Sequence, residues 1–196
     1  MKKLLTLLAV LCSSTAYYSN KFEATIGCLQ YDAVGGYDAP HPYFLTKAFN
    51  HIEITNKNAT KLRMGVLARN DGHIRLAPDE YPFNNTVMNE IVLSGWANTK
   101  NEVRRYIRKS HHTRTDNEVL LEQPSNGMLS EFVPFMFTME IQSDGMVSLT
   151  KDGDVNPLLQ FKDAKLSFLY VSFCNWNVPV IYFFDCPLDP NQNGCN

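Results

Sequence analysis

Apolar and polar residues alternate along most of this chain in short runs closed by turn sequences. Ala48–Thr55 (AFNHIEIT) alternates as a strand with one buried face does. Leu62–Ala68 (LRMGVLA) and His73–Ala77 (HIRLA) flank Arg69-Asn70-Asp71-Gly72, which reads as a turn between a strand and its return. Glu90–Ser94 (EIVLS) predicts another strand, ending at Gly95-Trp96-Ala97-Asn98. Further on, the apolar stretch Glu131–Gln142 is followed by the turn Ser143-Asp144-Gly145 and the return Met146–Thr150. Asp152-Gly153-Asp154 then turns into Leu158–Phe161, and Lys165–Phe173 and Val178–Phe184 close the pattern. Thr99–Lys109 fits two periods. Thr99 and Glu102 imitate a helix capping box with Val103, Tyr106 and Ile107 at helical spacing, while Val103, Arg105 and Ile107 alternate as a strand.

Roughly ten strands at this spacing predict an all-β antiparallel sandwich, jelly-roll-like. A parallel sheet with crossover helices is not expected, because no long amphipathic helical pattern occurs.

The first residues follow a different rule. Met1-Lys2-Lys3 is basic, Leu4–Cys12 is apolar apart from Thr6, and Ser14-Thr15-Ala16 supplies small residues before Tyr17. This is the pattern of a secretory signal peptide over residues 1–16, too short to span a bilayer. Cleavage there leaves Tyr17–Asn196, 180 residues, in a secreted, extracellular protein. Lys2 and Lys3 leave with it, so 18 basic side chains become 16 against 20 acidic ones, a formal charge of −4. Such a charge gives no reason to expect nucleic acid as a partner, and no later stretch suits a membrane span. Residues 17–47 read as an N-terminal extension packing on a domain formed by residues 48–196.

Cys12 departs with the signal, and Cys28, Cys174, Cys186 and Cys195 then suggest two disulfides. A Cys174–Cys186 pair is disfavoured, and Cys28 joined to Cys174 or Cys186 closes the chain ends. Two sequons, at Asn58 and Asn84, fit glycosylation on the secretory route.

Several ordered motifs carry a resemblance. Ala68–Leu76 (ARNDGHIRL), Glu90–Thr99 (EIVLSGWANT) and the pair Arg104-Arg105 resemble the farnesoic acid O-methyltransferase domain family. Leu129-Ser130-Glu131-Phe132, with Pro134-Phe135, is similar to its later Glu-Phe-x-Pro-Phe strand; Phe161-Lys162-Asp163 and Tyr170–Phe173 stand where its closing strands would. The likeness runs from about Phe49 to Phe184. Ser94 replaces a family Gly, Gly72 a common Ala, and Met136 an aromatic, while the usual Gly-Trp-Gly stands as Asn175-Trp176-Asn177. The resemblance implies a module of secreted animal proteins. By name it also implies methyl transfer from S-adenosylmethionine to a farnesoid acid.

The residues point elsewhere. No Gly-x-Gly-x-Gly turn occurs, and no cofactor is expected. His41, His51, His73, His111 and His112 lack His-x-His or His-Glu-x-x-His spacing, so no metal is expected. Asp152-x-Asp154-x-Asn156 imitates a calcium loop, but Pro157 stands where Gly is required. Asn70, Asp71, His73, Trp96 and Asn98 are the candidate ligand-binding residues. Their amide, carboxylate and imidazole groups suit hydroxyls, and an indole face suits a sugar ring. The alternative is structural: Asn70-Asp71-Gly72 shaping a hairpin, Trp96 filling the core, and Asn98 satisfying a corner. Arg104, Arg105, Arg108 and Lys109 form a basic patch that reads as a solvated strand edge or, alternatively, as a surface attracting sulfated glycans or phospholipid headgroups, exposed in either case. The expected function is non-catalytic binding of a glycan or small amphipathic ligand. Methyl transfer and a purely structural or protein-interaction role are the alternatives.

Overall fold

A computed structural model describes residues 20–188; the expected signal segment 1–16, Cys12 and Cys195 lie outside the described residues. The chain runs through a 3₁₀ turn at Lys21–Thr25, β1 (Leu29–Ala33), β2 (Tyr43–Leu45), a 3₁₀ turn at Thr46–Ala48, β3 (Glu53–Ile54), β4 (Thr60–Leu67) and β5 (Gly72–Ala77). β6 (Thr86–Ser94), a helical turn at Gly95–Asn98, β7 (Lys100–Arg108), β8 (Arg114–Pro124) and β9 (Phe135–Ile141) follow. β10 (Met146–Lys151), β11 (Leu159–Lys162), β12 (Tyr170–Cys174) and β13 (Val180–Cys186) complete it. All named pairings are antiparallel, in a seven-stranded sheet ordered β1-β13-β4-β9-β10-β11 with β3 on β4, and a six-stranded sheet ordered β2-β12-β5-β6-β7-β8.

The sandwich core lies between the two sheets. Leu62, Met64 and Val66 of β4, with Phe137 and Met139 of β9, meet Ile74 and Leu76 of β5, Ile91 and Leu93 of β6, and Phe173 of β12. Period-two alternation delivers these side chains to one face of each sheet, and burying them is the main favourable contribution to folding. Among the described residues, no helix is long and apolar enough to cross a membrane.

Several local expectations change. The strand expected at Ala48–Thr55 shrinks to Glu53–Ile54, because the Asp185 carboxylate accepts from the backbone N–H groups of Asn50 and His51 in place of a strand neighbour. The turn Arg69–Gly72 joins no hairpin: it carries the chain from β4 in one sheet to β5 in the other. Thr99–Lys109 resolves as a strand. Strands β1 and β2 lie within residues 17–47 and pair with β13 and β12, so that segment supplies an edge strand to each sheet.

Of the expected disulfide pairings, Cys28 bonds Cys186, while Cys174 is a buried free thiol among the described residues. Cys186 packs with Met136 and Phe183 on the outside of the seven-stranded sheet, against Cys28. Cys174 lies opposite His73 on the other sheet, out of reach of that pair.

Candidate functional site

Alternation along β5, β6, β7 and β12 sends His73, Arg75, Glu90, Val92, Arg104, Tyr106, Arg108 and Cys174 away from the sandwich core. That outer face is not open to water. Residues 35–43 cross it, and Tyr37, His41 and Tyr43 are themselves buried. Strongly polar side chains are therefore enclosed between a sheet and a strap, and their charges must be balanced locally.

Glu90 is the hub. Its Oε2 accepts from the Tyr37 and Tyr106 hydroxyls, each at 2.5 Å, and its Oε1 lies 2.6 Å from His73 Nδ1 and 3.1 Å from Arg104 Nη2. Burial pushes its carboxyl up, but the His73 hydrogen bond and the Arg104 and Arg75 guanidinium groups outweigh burial and hold it well below the usual carboxylate range. Burial, reinforced by the same carboxylate, drives the Tyr106 hydroxyl upward, so that phenol stays protonated and donates. Arg75 and Arg114 carbons sit 4.4 and 4.3 Å from the Tyr37 ring centroid, with Arg104 and Arg108 farther out. The Tyr37 ring thus offers its negative faces to a group of guanidinium ions that a single fully buried carboxylate does not neutralise.

Beside this cluster opens a cavity of about 360 Å³, walled by Asp71, His73, Trp96, Arg104, Trp176 and Asn177, with Val92 and Ala97. Trp96 and Trp176 are 49 % and 51 % exposed, while His73 is 4 % exposed. Trp176 packs against Tyr37 at 5.1 Å between centroids and lies nearly parallel to the His73 ring at 6.5 Å. The Lys100 ammonium rests 3.7 Å from the Trp96 ring centroid, covering one indole face.

The backbone presenting Trp96 is strained. Ser94 (φ 54°), Trp96 (φ 50°), Ala97 (φ 59°) and Asn98 (φ 67°) are all left-handed, a conformation costing about 1–2 kcal/mol for each L-residue. Asn98 holds the loop. Its amide donates to the Leu129 carbonyl and accepts from the Leu129 N–H, and its own carbonyl accepts from the Ser125 hydroxyl and the Gly127 N–H. Asp71, left-handed itself, donates its N–H to the Ser94 carbonyl, and its carboxylate accepts a backbone hydrogen bond from Trp96. Burial raises the Asp71 carboxyl, against the opposing effects of His73 and the Trp96 N–H.

Three of the five candidate ligand residues meet at the cavity: Asp71, His73 and Trp96. Asn98 instead clamps the loop, and Asn70 is buried with its Oδ1 lacking a partner among the described residues. The basic patch breaks up. Arg104 turns to Glu90 and the cavity. Arg105 pairs with Asp163 and Glu118. Arg108 is fully buried, donating to the Ser110 and His111 carbonyls, and only Lys109 is exposed. An exposed charged edge is therefore not what this run provides, because strand alternation drives two of its arginines under the strap. Glu90, Tyr37 and Trp176 were not singled out by sequence reasoning. The available signals were an acid inside an apolar strand and the second of only two tryptophans.

His73, Glu90 and Cys174 offer ligand atoms within 4.8 Å of one another. The donors suit a cation poorly: burial pushes the Cys174 thiol up to about 12, and arginines already occupy Glu90.

A profile of the farnesoic acid O-methyl transferase family matches residues 37–188. Among solved structures the chain is similar to a Bacillus licheniformis β-glucanase, at 11 % identity and a TM-score of 0.41, covering 82 % of this chain and 90 % of that one. It is also similar to the carbohydrate recognition domain of Emp47p, at 12 % identity and a TM-score of 0.30, covering 70 % and 82 %. At such values neither likeness bears on ligand or activity. No curated protein sequence matches significantly. By the extent of the profile match, the chain belongs to the farnesoic acid O-methyl transferase family.

Proposed function

We propose that this protein is a secreted, non-catalytic binding module whose ligand is a carbohydrate or another small hydroxylated ring. The observation that carries the reading is the placement of both tryptophans on one cavity together with Asp71, His73 and Arg104. Two half-exposed indoles supply flat apolar area, and the polar groups between them supply direction, the mixture that small-ligand sites use. The strained loop supports the same reading, since left-handed Trp and Ala residues persist only where surrounding contacts hold them. The signal segment at residues 1–16 and glycans on Asn58 and Asn84 belong to this proposal, and both asparagines are exposed.

The family's printed name favours methyl transfer as a second reading. S-adenosylmethionine is a sulfonium cation that usually rests on a glycine-rich strand-to-helix turn. The strand pairings among the described residues are antiparallel, and the guanidinium at the cavity wall has the sign of the sulfonium. The residues present do not fit that cofactor.

A glycan array probed with wild type and with Trp96→Ala and Trp176→Ala tests the proposal. Signals lost in either variant support it. Absence of any wild-type signal, or micromolar calorimetric binding of S-adenosylmethionine, overturns it.

A further inference from the structure

Two buried nitrogens at the cavity lack partners among the described residues: His73 Nε2 and Arg104 Nε. Both side chains line the cavity, and both are anchored on the same oxygen, Glu90 Oε1, through His73 Nδ1 at 2.6 Å and Arg104 Nη2 at 3.1 Å. Both side chains thus reach one carboxylate oxygen while also lining the same cavity. A buried polar atom without a partner costs about 1–3 kcal/mol, so two together mark a place where a ligand gains by supplying both hydrogen bonds.

The chemistry of that ligand follows from the anchor. Glu90 is fully buried and ionised, so its oxygens only accept, and the proton between Glu90 and His73 must sit on Nδ1. In the neutral ring Nε2 is then an acceptor, as in other carboxylate-oriented imidazoles. Arg104 Nε–H is a donor in every state. With the ring neutral, the wall presents one acceptor and one donor. A hydroxyl group matches both, donating to Nε2 while accepting from Nε–H. A carboxylate or sulfate can only accept, and would place its charge against the imidazole lone pair.

We infer that the cavity recognises a neutral ring through one hydroxyl group shared by His73 Nε2 and Arg104 Nε, with the tryptophans flanking the ring, in preference to an acidic ring. This rests on the binding-module reading above and specifies its ligand class. It assigns His73 and Arg104 the selective role and the indoles a tolerant one, since stacking does not distinguish a hydroxyl from a carboxylate.

The first arm of the test uses wild-type protein alone. Wild-type protein is titrated at neutral pH with methyl glycosides of neutral hexoses, their monodeoxy analogues and the matching methyl uronides, followed by the indole N–H resonances of Trp96 and Trp176. The expected result is that a neutral glycoside shifts both indole signals and that one particular deoxy analogue binds at least about tenfold more weakly, the size of one lost hydrogen-bond pair. Arg104→Lys, which keeps a charge for Glu90 but removes the Nε–H, should weaken the parent glycoside and leave that deoxy analogue unchanged. Uronides binding as tightly as or tighter than neutral glycosides, or all deoxy analogues binding equally, overturns the hydroxyl inference while leaving the binding module standing. Failure of every glycoside to move either indole signal overturns the module reading, and the inference with it.

Discussion

His73 Nδ1 lies 2.6 Å from Glu90 Oε1 on the outer face of the six-stranded sheet, with Glu90 fully buried and His73 reaching the cavity wall. The pair is one arm of a network in which a single carboxylate serves two tyrosines, one histidine and neighbouring arginines. Glu90→Gln removes the only fully buried negative charge there. Unfolding free energy should fall by about 3–5 kcal/mol, the usual cost of stranding buried charge, as read by urea denaturation at pH 7.

The same carboxylate sets an acid limb. Its folded pKa lies well below the unfolded value, so its contribution is complete above about pH 4.3, the ordinary glutamate value, and is lost as pH falls below that toward the folded value. Stability profiles between neutral and strongly acidic pH should show this decline in wild type and a shallower one in Glu90→Gln.

Ser94 has φ 54°, is fully buried, and leaves its hydroxyl without a partner among the described residues. Ser94→Gly removes both burdens and should stabilise the protein by about 1 kcal/mol, seen as a raised thermal midpoint. Gly95→Ala should do the opposite, by about 1–3 kcal/mol, because its Cβ would stand 2.8 Å from Val92 Cγ1.

Cys28 and Cys186 are separated by 158 residues, so their bond constrains nearly the whole described chain in the unfolded state. Cys28→Ser should cost about 2–5 kcal/mol, and reductant should lower the wild-type midpoint but not that of the variant. Cys174 should resist alkylation in the native state and react only after unfolding, because burial raises its thiol to about 12.

The two tryptophans both face the cavity, which makes intrinsic fluorescence a direct reporter of occupancy. Trp96→Ala and Trp176→Ala should each weaken binding of an array-identified glycan by tenfold or more. Both side chains are half exposed, so their thermal midpoints should stay within a few degrees of wild type.

Features governed by near neighbours along the chain were readable before any folding was known. Period-two alternation in Leu62–Ala68, His73–Ala77 and Glu90–Ser94 specifies strands with one apolar face, and apolar faces of this kind require two sheets to bury each other. The Trp96 segment and the Asp71–His73 turn were legible as a candidate site because their residue types are unusual at turns. The covering of the other face depends instead on residues far apart along the chain. Arg104 and Arg108 read as a solvated edge until the strap at residues 35–43 closes over them, and Glu90 gains its role only when β5, β6 and β7 align Arg75, Glu90 and Arg104 in one row with His73 diagonal to it. Arg69–Gly72 reads as a hairpin in either case, because a turn's local chemistry does not encode whether the next strand returns beside the last or crosses to the opposite sheet. That choice belongs to the long-range burial of β4 against β5, and through it to the cavity where Trp96 meets Trp176.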